Sequence, residues 1–246
     1  MRVNTHLWSA IGVLATTNVL AHRIRPRASA AVAAGQVAAL AVIARADGLT
    51  AAELGLGRDR VAAGARQGAG AAATVVAGYA IALAFPAARA TVPGSGRPWP
   101  QVAVRALVVI PLTTVLPEEF AFRGVLTALL GRRFDTRRVR IVTAGLFGLW
   151  HVLPGLGGAG AANDAVHTVV GTGARAAVVR VGGTVLVTTA GGLLLGELRR
   201  RSGSLLAPVL VHWAINGVGE LVAARPGGGH RRPGRSSVAR LSPPWP

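Results

Sequence analysis

Long apolar runs recur along this chain and constrain its fold more than any other feature. A helix of about 20 apolar residues crosses the hydrocarbon core of a bilayer. Seven candidates follow one another: residues 7–20, 28–44, 69–88, 102–130, 141–153, 176–198 and 205–224. Charged residues are only 15% of the 246 and gather between the runs, whereas a soluble domain carries about 25%. The expectation is an all-α, polytopic transmembrane bundle of about seven helices, a multi-pass protein of the cell membrane.

The net charge is +18, and every basic residue is Arg. Such a balance raises nucleic acid as a partner. Here the arginines sit at the ends of apolar runs, as they do in short membrane loops, and no nucleic-acid motif accompanies them. The expected partners are the bilayer and a peptide or protein substrate. Without cysteine there is neither a disulfide nor a thiolate metal site. The first run resembles a signal peptide, but further spans follow, so it reads as a first membrane helix. Arginines divide evenly between the two membrane sides when the C-terminal stretch is counted. Without that stretch the positive-inside rule favours a cytoplasmic N-terminus.

Three regions are expected. Residues 1–100 hold the first membrane helices and an interfacial segment, 101–224 a catalytic membrane core, and 225–246 a disordered basic tail rich in Gly, Pro, Ser and Arg. Within the first region, Thr50 and Glu53 have capping-box spacing. A short helix starting there and lying on the membrane surface and a plain polar loop are both open. Residues 155–173 are Gly-rich and read as a loop containing His167. His167 and His230 are read as solvated histidines outside the site.

Ionisable residues inside membrane helices are costly and mark function by default. Pro117-Glu118-Glu119-Phe120-Ala121-Phe122-Arg123 puts two adjacent carboxylates in an apolar run. Glu119 and Arg123 share a helix face at i,i+4, whereas Glu118 points about 100° away and needs another partner. Pro117 lacks an N–H and loosens the preceding turn. Phe147 to His151 and His212 to Asn216 add two imidazoles and a carboxamide on two further helices. Each motif alone also has a plainer reading: a helix end, an interfacial His, or polar packing between helices. Together they suit amide hydrolysis. A Glu shielded from water can serve as base and then acid, a His can orient water, and a second His with an Asn can donate to an oxyanion.

Glu118 to Arg123, Phe147 to His151 and His212 to Asn216 resemble, in order and spacing, the three motifs of the CPBP intramembrane protease family. That family includes CAAX prenyl endopeptidases and bacteriocin-processing or immunity-associated membrane proteins. The TAAELGL stretch from Thr50 also resembles a feature preceding the family's core. The resemblance implies that Glu118 activates water with help from His151. It implies that Glu119 is a supporting carboxylate held by Arg123, that His212 and Asn216 stabilise the oxyanion, and that Phe147 packs beside the substrate. It implies a cofactor-free enzyme, with a zinc variant on Glu118, His151 and His212 as the alternative. Two other functions share the scaffold: a non-catalytic protein acting in bacteriocin immunity or partner binding, and a proton-coupled carrier.

Overall fold

The computed structural model describes residues 5–24, 29–92, 94–156 and 173–224. Seven principal helices run through them: α1 Thr5–Val19, α2 Ser29–Ala46, α3 Arg58–Ala84, α4 Trp99–Gly131, α5 Thr136–Leu156, α6 Ala174–Ser202 and α7 Leu206–Val222. A short helix, Pro86–Thr91, lies between α3 and α4. There is no strand among the described residues. Five of the helices, α2 to α6, are long and apolar enough to cross a membrane. A helix satisfies its own backbone polar groups, which lipid cannot do. Many large apolar side chains on these helices stay exposed, among them Val178, Leu186 and Val187, as expected of a surface that faces lipid. The chain is a membrane protein.

The boundaries differ from the apolar runs for local reasons. Helix α5 begins at Thr136, ahead of the run at 141, because Asp135 caps it by accepting from the Arg138 N–H at 3.0 Å. Its first turn is arginine-rich and carries no apolar signal. Helix α3 begins at Arg58, about three turns before residue 69. There Gly68 faces α7, and a Cβ on it would lie 2.8 Å from the Ala207 Cα. Close backbone approach at small residues is a common membrane packing device. The capping box forms, with the Thr50 N–H on Glu53 Oε2 at 2.8 Å and the Glu53 N–H on Thr50 Oγ1 at 3.2 Å. It closes a turn over residues 51–55 and no surface helix follows it. The expected interfacial helix is therefore replaced by a pinned turn.

That turn ties helix ends together. The Leu205 N–H donates to the Gly55 carbonyl at 2.8 Å, and Arg199 Nη2 donates to the Glu53 carbonyl at 2.8 Å. Arg132, just past α4, reaches Glu53 at 2.8 Å and Asp47 at 2.9 Å. The hydrogen bond from Arg132, then that from the Thr50 backbone, lowers the Glu53 pKa to about 2. A carboxyl depressed from 4.5 to about 2 contributes stability above the unfolded value and loses it as pH falls through the folded one. Arg132→Ala is therefore expected to lower the melting temperature at neutral pH. Melts of the two proteins should converge as pH falls from about 4.5 towards 2; a constant gap across that window would rule out Glu53 as the partner that matters.

The core sits where α1, α2, α4 and α5 meet, around Leu14, Leu40, Phe122, Leu126, Leu129 and Phe147. Helix α4 is not wound uniformly. Arg105–Val109, Pro111–Val115 and Phe120–Leu126 form wide π-type turns, a feature often found at functional sites. The Glu pair lies between the last two. Residues 157–172, most of the stretch expected to be a Gly-rich loop and including His167, and residues 225–246, including His230, lie outside the described residues.

Candidate active site

Glu118 and Glu119 sit near the middle of α4, so neither belongs to a helix end. Both are buried, Glu119 completely and Glu118 to 8% exposure. Their surroundings differ. Glu119 Oε1 accepts from Arg123 Nη1 at 2.9 Å and from His212 Nδ1 at 2.7 Å. Arg123, 2% exposed, also donates Nη2 to the Gly192 carbonyl at 3.4 Å, and its guanidinium lies 4.1 Å from the centre of the Phe147 ring. Phe147 thus serves as a cation–π face for Arg123 and packs edge-on to His212 and His151.

Glu118 meets a different partner, the indole of Trp150, which donates to Oε1 at 3.1 Å. Its Oε2 is buried with no hydrogen-bond partner. His212 Nε2 is 3.9 Å from that oxygen, beyond hydrogen-bond reach. His212 therefore stands between the two carboxylates, bonded to one and near the other.

A cavity of about 450 Å³ opens onto Glu118. Its lining includes Thr17 and His22 from the α1 end, Gln36 from α2, Arg105 and Pro117 from α4, and Trp150 and His151 from α5. His151 ends the main run of α5 and donates Nδ1–H to the Phe147 carbonyl at 2.7 Å. That tautomer leaves Nε2 as the acceptor. His212 and Asn216 are not among the lining residues, and Asn216 lies half-buried one turn beyond His212. Glu220, a further turn on, binds Arg97 at 3.3 Å and Arg105 at 3.0 Å.

The three motifs thus converge on one place, with Asn216 set apart from the rest. Trp150, Gln36, Asn18, Thr17 and Arg105 escaped the sequence reading as site residues. For Gln36 and Asn18 a signal was present, since each is an amide inside an apolar run. Among the described residues no three His, Asp or Glu side chains converge as a metal site.

The fold and site together describe a helical membrane protein with a buried carboxylate pair, one member paired to Arg and the other lining a cavity. Residues 99–218 match the family model described as type II CAAX prenyl endopeptidase Rce1-like, which is what this part of the chain is similar to. At family level this is a CAAX-type intramembrane protease. No match to the chain was found among curated proteins or among solved structures.

Proposed function

We propose that the chain is an endopeptidase of the cell membrane that hydrolyses a peptide bond near the membrane surface, with Glu118 activating the water. The observation that carries this is that Glu118 lines the cavity and keeps an Oε2 without a hydrogen bond, whereas Glu119 lies off the cavity with its Oε1 bound by Arg123 and His212. Glu118 takes a proton from water, and the oxygen of that water bonds to the substrate carbonyl carbon. The resulting oxyanion collapses, the C–N bond breaks, and the proton on Glu118 passes to the leaving nitrogen. One carboxyl and one amine result. The Nε2 lone pair of His151, which lines the cavity, orients that water and shares its proton in this reading. Glu119 holds His212 in position.

No metal takes part in this scheme. Exhaustive chelation of purified protein is expected to leave cleavage intact; activity that leaves with the metal and returns with zinc would overturn the scheme.

Asn216 lies outside the lining of the cavity. A donor directly on an oxyanion is worth about 10²- to 10³-fold in kcat. We expect Asn216→Ala to cost less than about tenfold, and a loss in the full range would restore it as an oxyanion donor.

The test of the function is cleavage by detergent-purified protein of peptide libraries, with and without a prenylated C-terminal Cys, followed by mass spectrometry. Cleavage by wild type but not by Glu118→Gln is the expected result. Equal cleavage by both would place the activity elsewhere. A fully folded wild type that cuts neither library, alone or in bilayer nanodiscs, would favour the non-catalytic reading.

A further inference from the structure

We infer that α1 and α2, which lie outside residues 99–218, belong to the catalytic apparatus, with Gln36 and Trp150 as positioning residues that aim the Glu118 carboxylate. The inference rests on the proposal that Glu118 is the base.

Two chains of hydrogen bonds reach Glu118 from the N-terminal helices. The first runs through its backbone. Gln36 is 3% exposed, its Nε2 donates to the Pro117 carbonyl at 3.2 Å, and its Oε1 accepts from Thr17 Oγ1 at 2.8 Å. Pro117 immediately precedes Glu118, so one amide fixes the turn that carries the base to both α1 and α2. This turn needs fixing, because Pro117 leaves α4 one N–H short and π-type turns flank it.

The second chain runs through the side chain. Asn18, 8% exposed, donates Nδ2 to the Trp150 carbonyl at 2.9 Å. The Trp150 indole then donates to Glu118 Oε1 at 3.1 Å. The ring is held edge-on against Phe122 and against His22 of the segment after α1, at centroid distances of 5.9 and 6.4 Å. A carboxylate has two equivalent oxygens and turns easily about its last bond. Engaging Oε1 selects Oε2 for the water. Without the indole, Glu118 keeps its basicity in kind but spends less time aimed at the attacking water, and misplacement of this order lowers kcat.

The plainer possibility is that these amides only glue helices together. The two roles separate in measurement. Glue lost from a bundle lowers folded yield and activity in parallel, whereas an aim lost from the base lowers kcat at constant folding and constant KM.

The experiment uses the full chain in detergent. Gln36→Met keeps the length without the amide, and Trp150→Phe keeps an aromatic ring without the donor. At equal folded fraction, both variants are expected to lose about 10- to 100-fold in kcat with KM unchanged within about twofold. A second reading needs no turnover. The indole N–H signal of Trp150, identified by its loss in Trp150→Phe, should move upfield in Glu118→Gln and shift in Gln36→Met. An unchanged kcat in both variants, or a raised KM at constant kcat, would overturn the positioning role. So would an indole signal blind to Glu118→Gln. If wild type cleaves nothing while the signal responds, Glu118 as the base is what fails, and the clamp on its carboxylate stands.

Discussion

Glu118→Gln should abolish cleavage while leaving the fold intact. Positioned acid–base groups contribute about 10²- to 10⁴-fold each, and Glu118 is proposed to act once as base and once as acid. A fall in kcat of at least about 10³-fold is therefore expected. The substitution is mild for structure. The glutamine carbonyl can still accept from the Trp150 indole, which now bonds Oε1 at 3.1 Å. Oε2 has no hydrogen bond to lose. Its replacement by an amide nitrogen removes the proton acceptor together with the negative charge, at nearly constant shape. Thermal melting should stay close to that of wild type. Glu119→Gln should behave otherwise, losing activity and stability together, because Arg123 and His212 both depend on that carboxylate. Steady-state cleavage with a melting curve for each variant separates the two. A Glu118→Gln enzyme within tenfold of wild type would remove the base from the mechanism.

The contrast between the two carboxylates was only half legible in the sequence. The Glu119–Arg123 pair follows from helical spacing, and the bond at 2.9 Å agrees with it. Spacing also turned Glu118 to another direction and asked for a partner there. It could not supply Trp150, which lies 32 residues on and whose indole direction depends on how α5 meets α4. Gln36 and Asn18 are harder still. Each is a single polar residue in an apolar run, bonded to a segment 81 or 132 residues away. Local periodicity holds no record of such pairings. Helix existence was legible because the apolar runs are long. Helix starts were not, because Asp135 caps a turn of arginines and Gly68 packs against backbone; neither adds hydropathy. The resemblance pairs His212 with Asn216 on the oxyanion and carries no sign of the bond from His212 Nδ1 to Glu119. That choice depends on a rotamer, which no motif encodes.

Arg123→Met should be the most destabilising single change in the core. The guanidinium is 2% exposed, and it meets the Glu119 carboxylate, the Gly192 carbonyl and the Phe147 ring. Removing one member of a buried ion pair leaves the other charged and unpaired, at a cost of about 3–5 kcal/mol. His212 still bonds Glu119, which favours the lower part of that range. Arg123→Lys should not restore stability, since an ammonium cannot reach the carboxylate and the Gly192 carbonyl in one plane or stack on Phe147 as a guanidinium does. The double variant Glu119→Gln/Arg123→Met removes both charges and should melt above Arg123→Met alone, a coupling typical of groups in one network. Unfolding of purified variants in detergent measures all three. If Arg123→Met melts with wild type, the pair contributes nothing to the bundle, and Glu119 must be held by His212 alone. If the double variant melts lower than the single one, the uncompensated carboxylate is not the source of the loss. The packing of Arg123 between α6 and the Phe147 ring would then carry it.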